Sequence, residues 1–401
     1  MEHRTSTLDL TLRHADGTPV GGQSIQVHQK THDFLFGCGA FDAVALMRVP
    51  KEKRSFLEER MHKWVRLFNY GTLPFYWGRY EPEEGKTVEK PTMEGARYLT
   101  EKGVRVKGHP LCWHTACAPW LLNYPDDVIF QKQMDRIRRD VTAFKGTIDM
   151  WDVINEVVIM PDFDRYDNAV TRICRLRGRV PLVKACFEAA RACNPDAVLL
   201  INDFNTSPRY EELIAELLEH DVPISAIGIQ SHQHQGYWGR EKLEDVLSRF
   251  SRFGLPIHFT ENTLISGDLM PGHIVDLNDW QVESWPSTPE GEERQAREAA
   301  EMYSILFAHP LVEAITTWDF TDGCWLHAPS GFLREDNSEK PVYHTLEKLI
   351  HGDWETHLTL SSSEDGRISF TGFHGDYEIT AEGRTVFLHL GRENQQLTVT
   401  I

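Results

Sequence analysis

The sequence contains no run of eighteen apolar residues, so no segment is long enough to cross a bilayer as a helix. Positive charge is scarce: 42 Lys and Arg stand against 60 Asp and Glu, a formal net charge of −18. Gripping a phosphate backbone or an anionic membrane takes clustered cations, so neither nucleic acid nor a membrane is an expected partner. A neutral or cationic substrate fits the charge better. The opening MEHRTSTLDL lacks the apolar core of a secretory leader. That predicts a cytoplasmic protein, or a secreted one if a leader was removed beforehand. Cysteines are few, odd in number and irregularly spaced (Cys38, Cys112, Cys117, Cys174, Cys186, Cys193, Cys324). This pattern speaks against a disulfide framework and predicts buried thiols. A glycine-rich dinucleotide loop is missing too, since FGCGAF (36–41) has no third glycine.

What is present suits a large folded core: 401 residues, 41% hydrophobic and 25% charged. Eight short apolar runs recur along the middle of the chain: 35–40, 67–73, 105–113, 147–156, 197–204, 226–232, 256–261 and 314–320. Amphipathic stretches such as VPLVKACFEAARACNP and EERQAREAAEMYSILFAH separate them. Eight β-then-α repeats predict an α/β fold, a (β/α)8 TIM barrel, over residues 34–350. Before it, Leu8, Leu10 and Leu12 alternate, and an Asp16-Gly17 turn leads to Ile25 and Val27. This predicts a β-hairpin segment over 1–33, packed on the barrel. After it, ISFTGF, DYEIT, TVFLHL and LTVTI predict a small all-β segment over 351–401. Trp354, Phe370, Phe373 and Tyr377 are its few candidates for a carbohydrate-binding face, and no flexible linker precedes it, which favours a packing role.

Barrel chemistry sits at the C-terminal ends of the strands. Those ends carry His109 and His114, Asn155 and Glu156, Asp203 and Asn205, Gln230 and His232, Glu261, and Trp318 with Asp322. Two carboxylates stand out, Glu156 and Glu261, each closing an apolar run where desolvation is costly without a task. A carboxylate pair across a cleft is the minimum equipment of glycoside hydrolysis. The competing reading makes each a loop carboxylate, and the polar company at the other strand ends argues against it. The HQH at 232–234 is weak as a metal motif because further ligands from other strands are lacking, so no metal or cofactor is expected.

WDVINEVV (151–158), GHPLCWH (108–114), INDFN (201–205), IGIQSH (227–232), FTEN (259–262) and TTWDFTDGCW (316–325) together resemble the signature set of glycoside hydrolase family 10, the family of endo-β-1,4-xylanases. They occur in family order, with 105 residues between the two glutamates (261 − 156), and flanking β segments extend the resemblance over nearly the whole chain. The resemblance implies a retaining β-glycoside hydrolase with a carbohydrate substrate such as xylan, Glu156 as acid/base and Glu261 as nucleophile. It implies that Asn155 bonds the sugar 2-OH and that His232 bonds the nucleophile. Trp113 and His114 become a sugar-contacting pair, Trp318 the floor of the −1 subsite, Trp325 a wall, and Trp77 a further substrate-binding aromatic. Gln230 and Asp203 are implied to orient neighbours.

One stretch departs from the pattern. Family members follow strand two with an ENxMKW-like segment whose Glu, Asn and Lys bind the −2 and −1 sugars. Here Leu73, Pro74, Phe75 and Tyr76 stand there, with Trp77 and the tail residues Glu81, Pro82 and Gly85 retained. Sugar-binding groups give way to apolar and aromatic surface, which predicts altered glycone recognition and weak action on polymer. A long acidic loop with Trp280 and Trp285 (262–293) also differs. It reads either as a structure that narrows the cleft or offers an aglycone surface, or as a solvated insertion. Three alternatives remain beside a xylanase-like enzyme: an exo-acting or small-glycoside hydrolase, a non-catalytic carbohydrate-binding protein, and a metal-dependent hydrolase.

Overall fold

The computed structural model describes all 401 residues. Its strands are β1 (Thr5–Arg13), β2 (Ser24–Gln29), β3 (Leu35–Gly39), β4 (Tyr70–Pro74), β5 (Arg105–His109), β6 (Met150–Asn155), β7 (Val198–Asp203), β8 (Ala226–Ile229), β9 (His232–Gln233), β10 (Ile257–Leu264), β11 (Val312–Thr317), β12 (His357–Ser361), β13 (Arg367–Phe373), β14 (Gly375–Ala381), β15 (Arg384–Leu390) and β16 (Gln395–Thr400). Eight of them, β3 to β8 with β10 and β11, pair in parallel, and the sheet closes where β11 joins both β10 and β3. Each of the eight apolar runs overlaps one barrel strand. Side chains fill the lumen and helices cover the outside, so both faces are buried; β8 and β10 are buried at every residue.

The predicted helices fall at Arg179–Cys193 and Pro289–Phe307. The second starts where the Thr288 hydroxyl accepts the Gly291 N–H at 3.0 Å and Pro289 takes the first position, whose N–H is free anyway.

The two chain ends build one body. β1 pairs with β13 and β16, while β2 pairs with β12 and β14, which continues to β15. The expected N-terminal strands are present, but they do not pair as a hairpin. The turn at Asp16-Gly17 forms, one bridge follows it (Arg13 to Pro19), and the chain then crosses to the opposite sheet. Leu8, Leu10 and Leu12 from one sheet meet Ile25, Val27, Tyr377 and Ile379 from the other in a core of 13 buried residues, distinct from the barrel's. A lone hairpin leaves its apolar face wet, whereas two sheets face to face cover it.

Arg4 fastens this sandwich to the barrel, donating to the carbonyls of Phe307 (3.0 Å), His309 (2.7 Å) and Val312 (2.5 Å). Trp354 stacks on Phe307 and Phe36, and Phe370 and Tyr377 are buried, so these aromatics form packing rather than a carbohydrate-binding face. All seven cysteines are free; four are buried, two partly so, and Cys324 is exposed, against the expectation of burial throughout.

Candidate active site

Glu156 and Glu261 come together at the C-terminal mouth through a chain of amides. Glu156 follows β6 with φ of +54°, the left-handed region that a non-glycine residue enters at a cost, and its N–H is held by the Asn202 carbonyl at 2.8 Å. Glu261 lies inside β10 and is 4% exposed. Asn202 Nδ2 donates to Glu261 Oε1 (2.7 Å) and to Asn155 Oδ1 (2.9 Å), while Gln230 Nε2 donates to Asn155 Oδ1 (3.2 Å) and Glu156 Oε1 (3.3 Å). Gln230 thus touches a carboxylate directly. Asp203 does not: it accepts the N–H groups of Val158 and Asn205 and braces the loops beyond β6 and β7.

The two carboxyls are driven apart in acidity. Burial pushes Glu156 up to about 8, with the negative charges of Asp203 and Glu261 adding, against the Trp113 indole N–H at 2.9 Å. Burial works the same way on Glu261 but loses to the imidazoles of His109 (3.9 Å) and His232 (3.1 Å), which hold it below the usual carboxylate range. His109 is in turn bound to Asp152 at 2.7 Å, and Asp152 to Lys107 at 2.7 Å, all buried. Near neutrality one carboxyl keeps its proton and the other is charged, the division of labour that acid and nucleophile need.

Trp318 is 9% exposed and sets its ring edge-on to His109 (5.3 Å) and His232 (6.2 Å), under the nucleophile side. Trp325 lies 4.6 Å from His232 as a wall. Trp113 and His114 lie against Glu156, the latter at 3.9 Å, and burial pushes His114 down to about 4, so it is neutral at pH 7. Buried ring nitrogens of His114, His232 and His234 have no hydrogen-bond partner within the protein.

Trp77 corrects an expectation. It is 4% exposed, its indole N–H is spent on Glu81 (3.0 Å) and the Arg136 guanidinium covers its ring, so it is part of the supporting wall. Of the four residues that replace the sugar-binding stretch, Leu73 and Phe75 are fully buried and only Tyr76 reaches the site, 5.8 Å from His109 and 5.7 Å from Trp113.

Asn202, Asp152 and Lys107 had not been singled out from the sequence. Asn202 stands opposite Asn155 at the end of adjacent strands, with Gly228 beside it, where a Cβ would lie 2.4 Å from Asn202 Oδ1.

The family model described as glycosyl hydrolase family 10 matches residues 75–348. An endo-1,4-beta-xylanase/feruloyl esterase of Xylanibacter ruminicola is 28% identical over 65% of this chain and 39% of its own length. Endo-1,4-beta-xylanase B of Thermotoga neapolitana is 27% identical over 68% of this chain and 78% of its own. The chain therefore spans well under half of the first relative and about three quarters of the second. Among solved structures, a family 10 protein of Paenibacillus barcinonensis superposes with a TM-score of 0.64 at 22% identity, covering 80% of this chain and 96% of that one. Xylanase 10B of Thermotoga maritima gives 0.63 at 23%, with the same coverage. With a family model matched over most of the barrel, a closed (β/α)8 sheet and a carboxylate pair at its mouth, the chain belongs to glycosyl hydrolase family 10.

Proposed function

We propose that the protein hydrolyses β-1,4-xylosidic bonds with retention of anomeric configuration, Glu156 serving as acid/base and Glu261 as nucleophile. The observation that carries this is the opposite displacement of the two carboxyls, Glu156 up to about 8 and Glu261 below its ordinary range, within one hydrogen-bonded chain. The activity for which the relatives are named, endo-1,4-beta-xylanase, supplies the sugar.

In the first step a Glu261 oxygen bonds to the anomeric carbon as the bond to the leaving oxygen breaks, and Glu156 gives that oxygen its proton. In the second, water attacks the anomeric carbon, Glu156 takes the water's proton and Glu261 departs as carboxylate. Trp318 offers an apolar face to the sugar ring, and the Asn202–Asn155–Gln230 amides fix both carboxyls before substrate arrives.

Azide rescue separates the two roles. On an activated aryl glycoside, dinitrophenyl β-xylobioside, whose leaving group departs without a proton, Glu261→Ala is expected to lose hydrolysis and to form the α-glycosyl azide when azide is added, by a single inversion. Glu156→Ala is expected to form the β-azide, by attack on the covalent intermediate. Hydrolysis that survives Glu261→Ala would overturn the assignment.

A further inference from the structure

We propose that the leaving-group end of the cleft is closed by a clasp between two loops, so that the enzyme expels a short leaving group instead of cutting within a polymer. This rests on the reading of Glu156 and Glu261 given above.

Strands β6 and β10, the fourth and seventh of the barrel, carry the two glutamates, and β7 and β8 lie between them on one arc of the mouth. Tyr76 and Trp318, on the glycone side, follow β4 and β11 on the other arc. The arc over β7 and β8 is therefore where the leaving group lies.

The segment after β10 runs along that arc. The Met270 N–H donates to the His234 carbonyl (2.9 Å), and Gln235 Nε2 donates to the carbonyls of Pro271 (3.0 Å) and Ile274 (2.8 Å), pinning the segment to the loop beyond β8. It then reaches the loop beyond β6. There Arg165 Nη2 donates to both oxygens of Asp279 (2.6 and 2.7 Å), and Nη1 lies 3.2 Å from Asp276. One strap so joins the nucleophile strand to the acid/base strand across the intervening loops.

The strap is built, not solvated. Ile265, Met270, Trp285 and Ala328 form a core of their own, and the Trp285 indole N–H bonds the Asp268 carbonyl at 2.7 Å. The Arg165 loop also carries Phe163, 4.5 Å from His114, which lies 3.9 Å from Glu156, so the closure stands beside the acid/base itself. An exposed ion pair contributes little to folding, but this one joins loops already anchored at their far ends, so breaking it changes what fits and leaves the fold intact.

Xylohexaose labelled with oxygen-18 at its reducing end, read by mass spectrometry, reports which bond is cut, and phenyl β-xylobioside reports the chemistry alone. The wild type should cut only bonds next to the reducing end, or cleave the phenyl glycoside alone. In Arg165→Ala, and independently in an Asp276→Ala/Asp279→Ala double variant, cleavage should spread to internal bonds. The ratio of xylan to phenyl glycoside turnover should rise about tenfold or more, with phenyl glycoside kcat/KM within about twofold of wild type. Internal cleavage by the wild type, or variants that keep its pattern, would overturn the closed end while phenyl glycoside hydrolysis still depends on Glu261. Phenyl glycoside hydrolysis that is absent, or survives Glu261→Ala, would overturn the catalytic reading and this one with it.

Discussion

The indole N–H of Trp113 is a donor to a carboxyl whose task is to stay protonated. A donor stabilises the charged form, so Trp113 restrains the acidity shift that burial imposes on Glu156. The alkaline limb of kcat/KM is expected near pH 8, where Glu156 loses its proton, and Trp113→Phe should move that limb upward while leaving the acid limb in place. A limb that moves downward would show that the indole does not act on Glu156. Asn202 works on the other side. Removing its amide leaves Glu261 Oε1 and Asn155 Oδ1 each short of a donor. Asn202→Ala should lower kcat on the order of 10²-fold with KM little changed, the split expected of a positioning group. The glutamates were legible in the sequence because a carboxylate at the end of an apolar run is conspicuous. Asn202 was not, because a lone amide inside AVLLINDF reads as one more strand residue until its neighbour across the sheet is known.

At the scale of elements, the eight apolar runs were readable because parallel strands buried on both faces leave an unbroken hydrophobic signature. Pairing at the chain ends was not. Alternation states that Leu8, Leu10 and Leu12 share a face, and says nothing of which strands flank β1; its hydrogen-bonded partners lie more than 350 residues away in β13 and β16. The replaced stretch after β4 shows the same limit, since apolar identity alone did not separate Leu73 and Phe75, which fill core, from Tyr76, which faces the site. Shared strands also carry an energetic consequence. Leu10 is 1% exposed within a core of only 13 residues, so little surrounds it that can close a cavity. Leu10→Ala should cost about 2–5 kcal/mol in the unfolding of the sandwich, measured by calorimetry. Catalysis should persist at temperatures where the barrel remains folded, because no sandwich residue contributes to the carboxylate site. A loss of phenyl glycoside turnover at 25 °C in that variant would show that the barrel depends on the sandwich for its active geometry.

Across the whole molecule, the seam between sandwich and barrel is the largest gathering of histidines that acid should reach. A cavity of about 610 Å³ lies there, lined by His3, His32, His258, His374 and His389 together with Arg4, Arg105 and Arg392, with Asp33 and Glu313 as the acids of the lining, and Asp376 lies 2.9 Å from His389. Burial pushes His32 and His258 down to about 4 and lowers His3 and His374 as well, with Lys107 adding to the effect on His258. A base whose folded value is depressed is neutral in both states above about 6.5. Below that the unfolded chain takes up the proton first, so stability falls as pH drops from about 6.5 to 4. For His258, 2% exposed and without a partner for Nδ1, the loss is on the order of 3 kcal/mol by pH 4. Protonation would also add charge beside three arginines, so these losses reinforce one another. The thermal midpoint should therefore decline steeply between pH 6.5 and 4, and His258→Leu, which has nothing to protonate, should flatten that slope. An unchanged slope in the variant would place the acid sensitivity elsewhere in the chain.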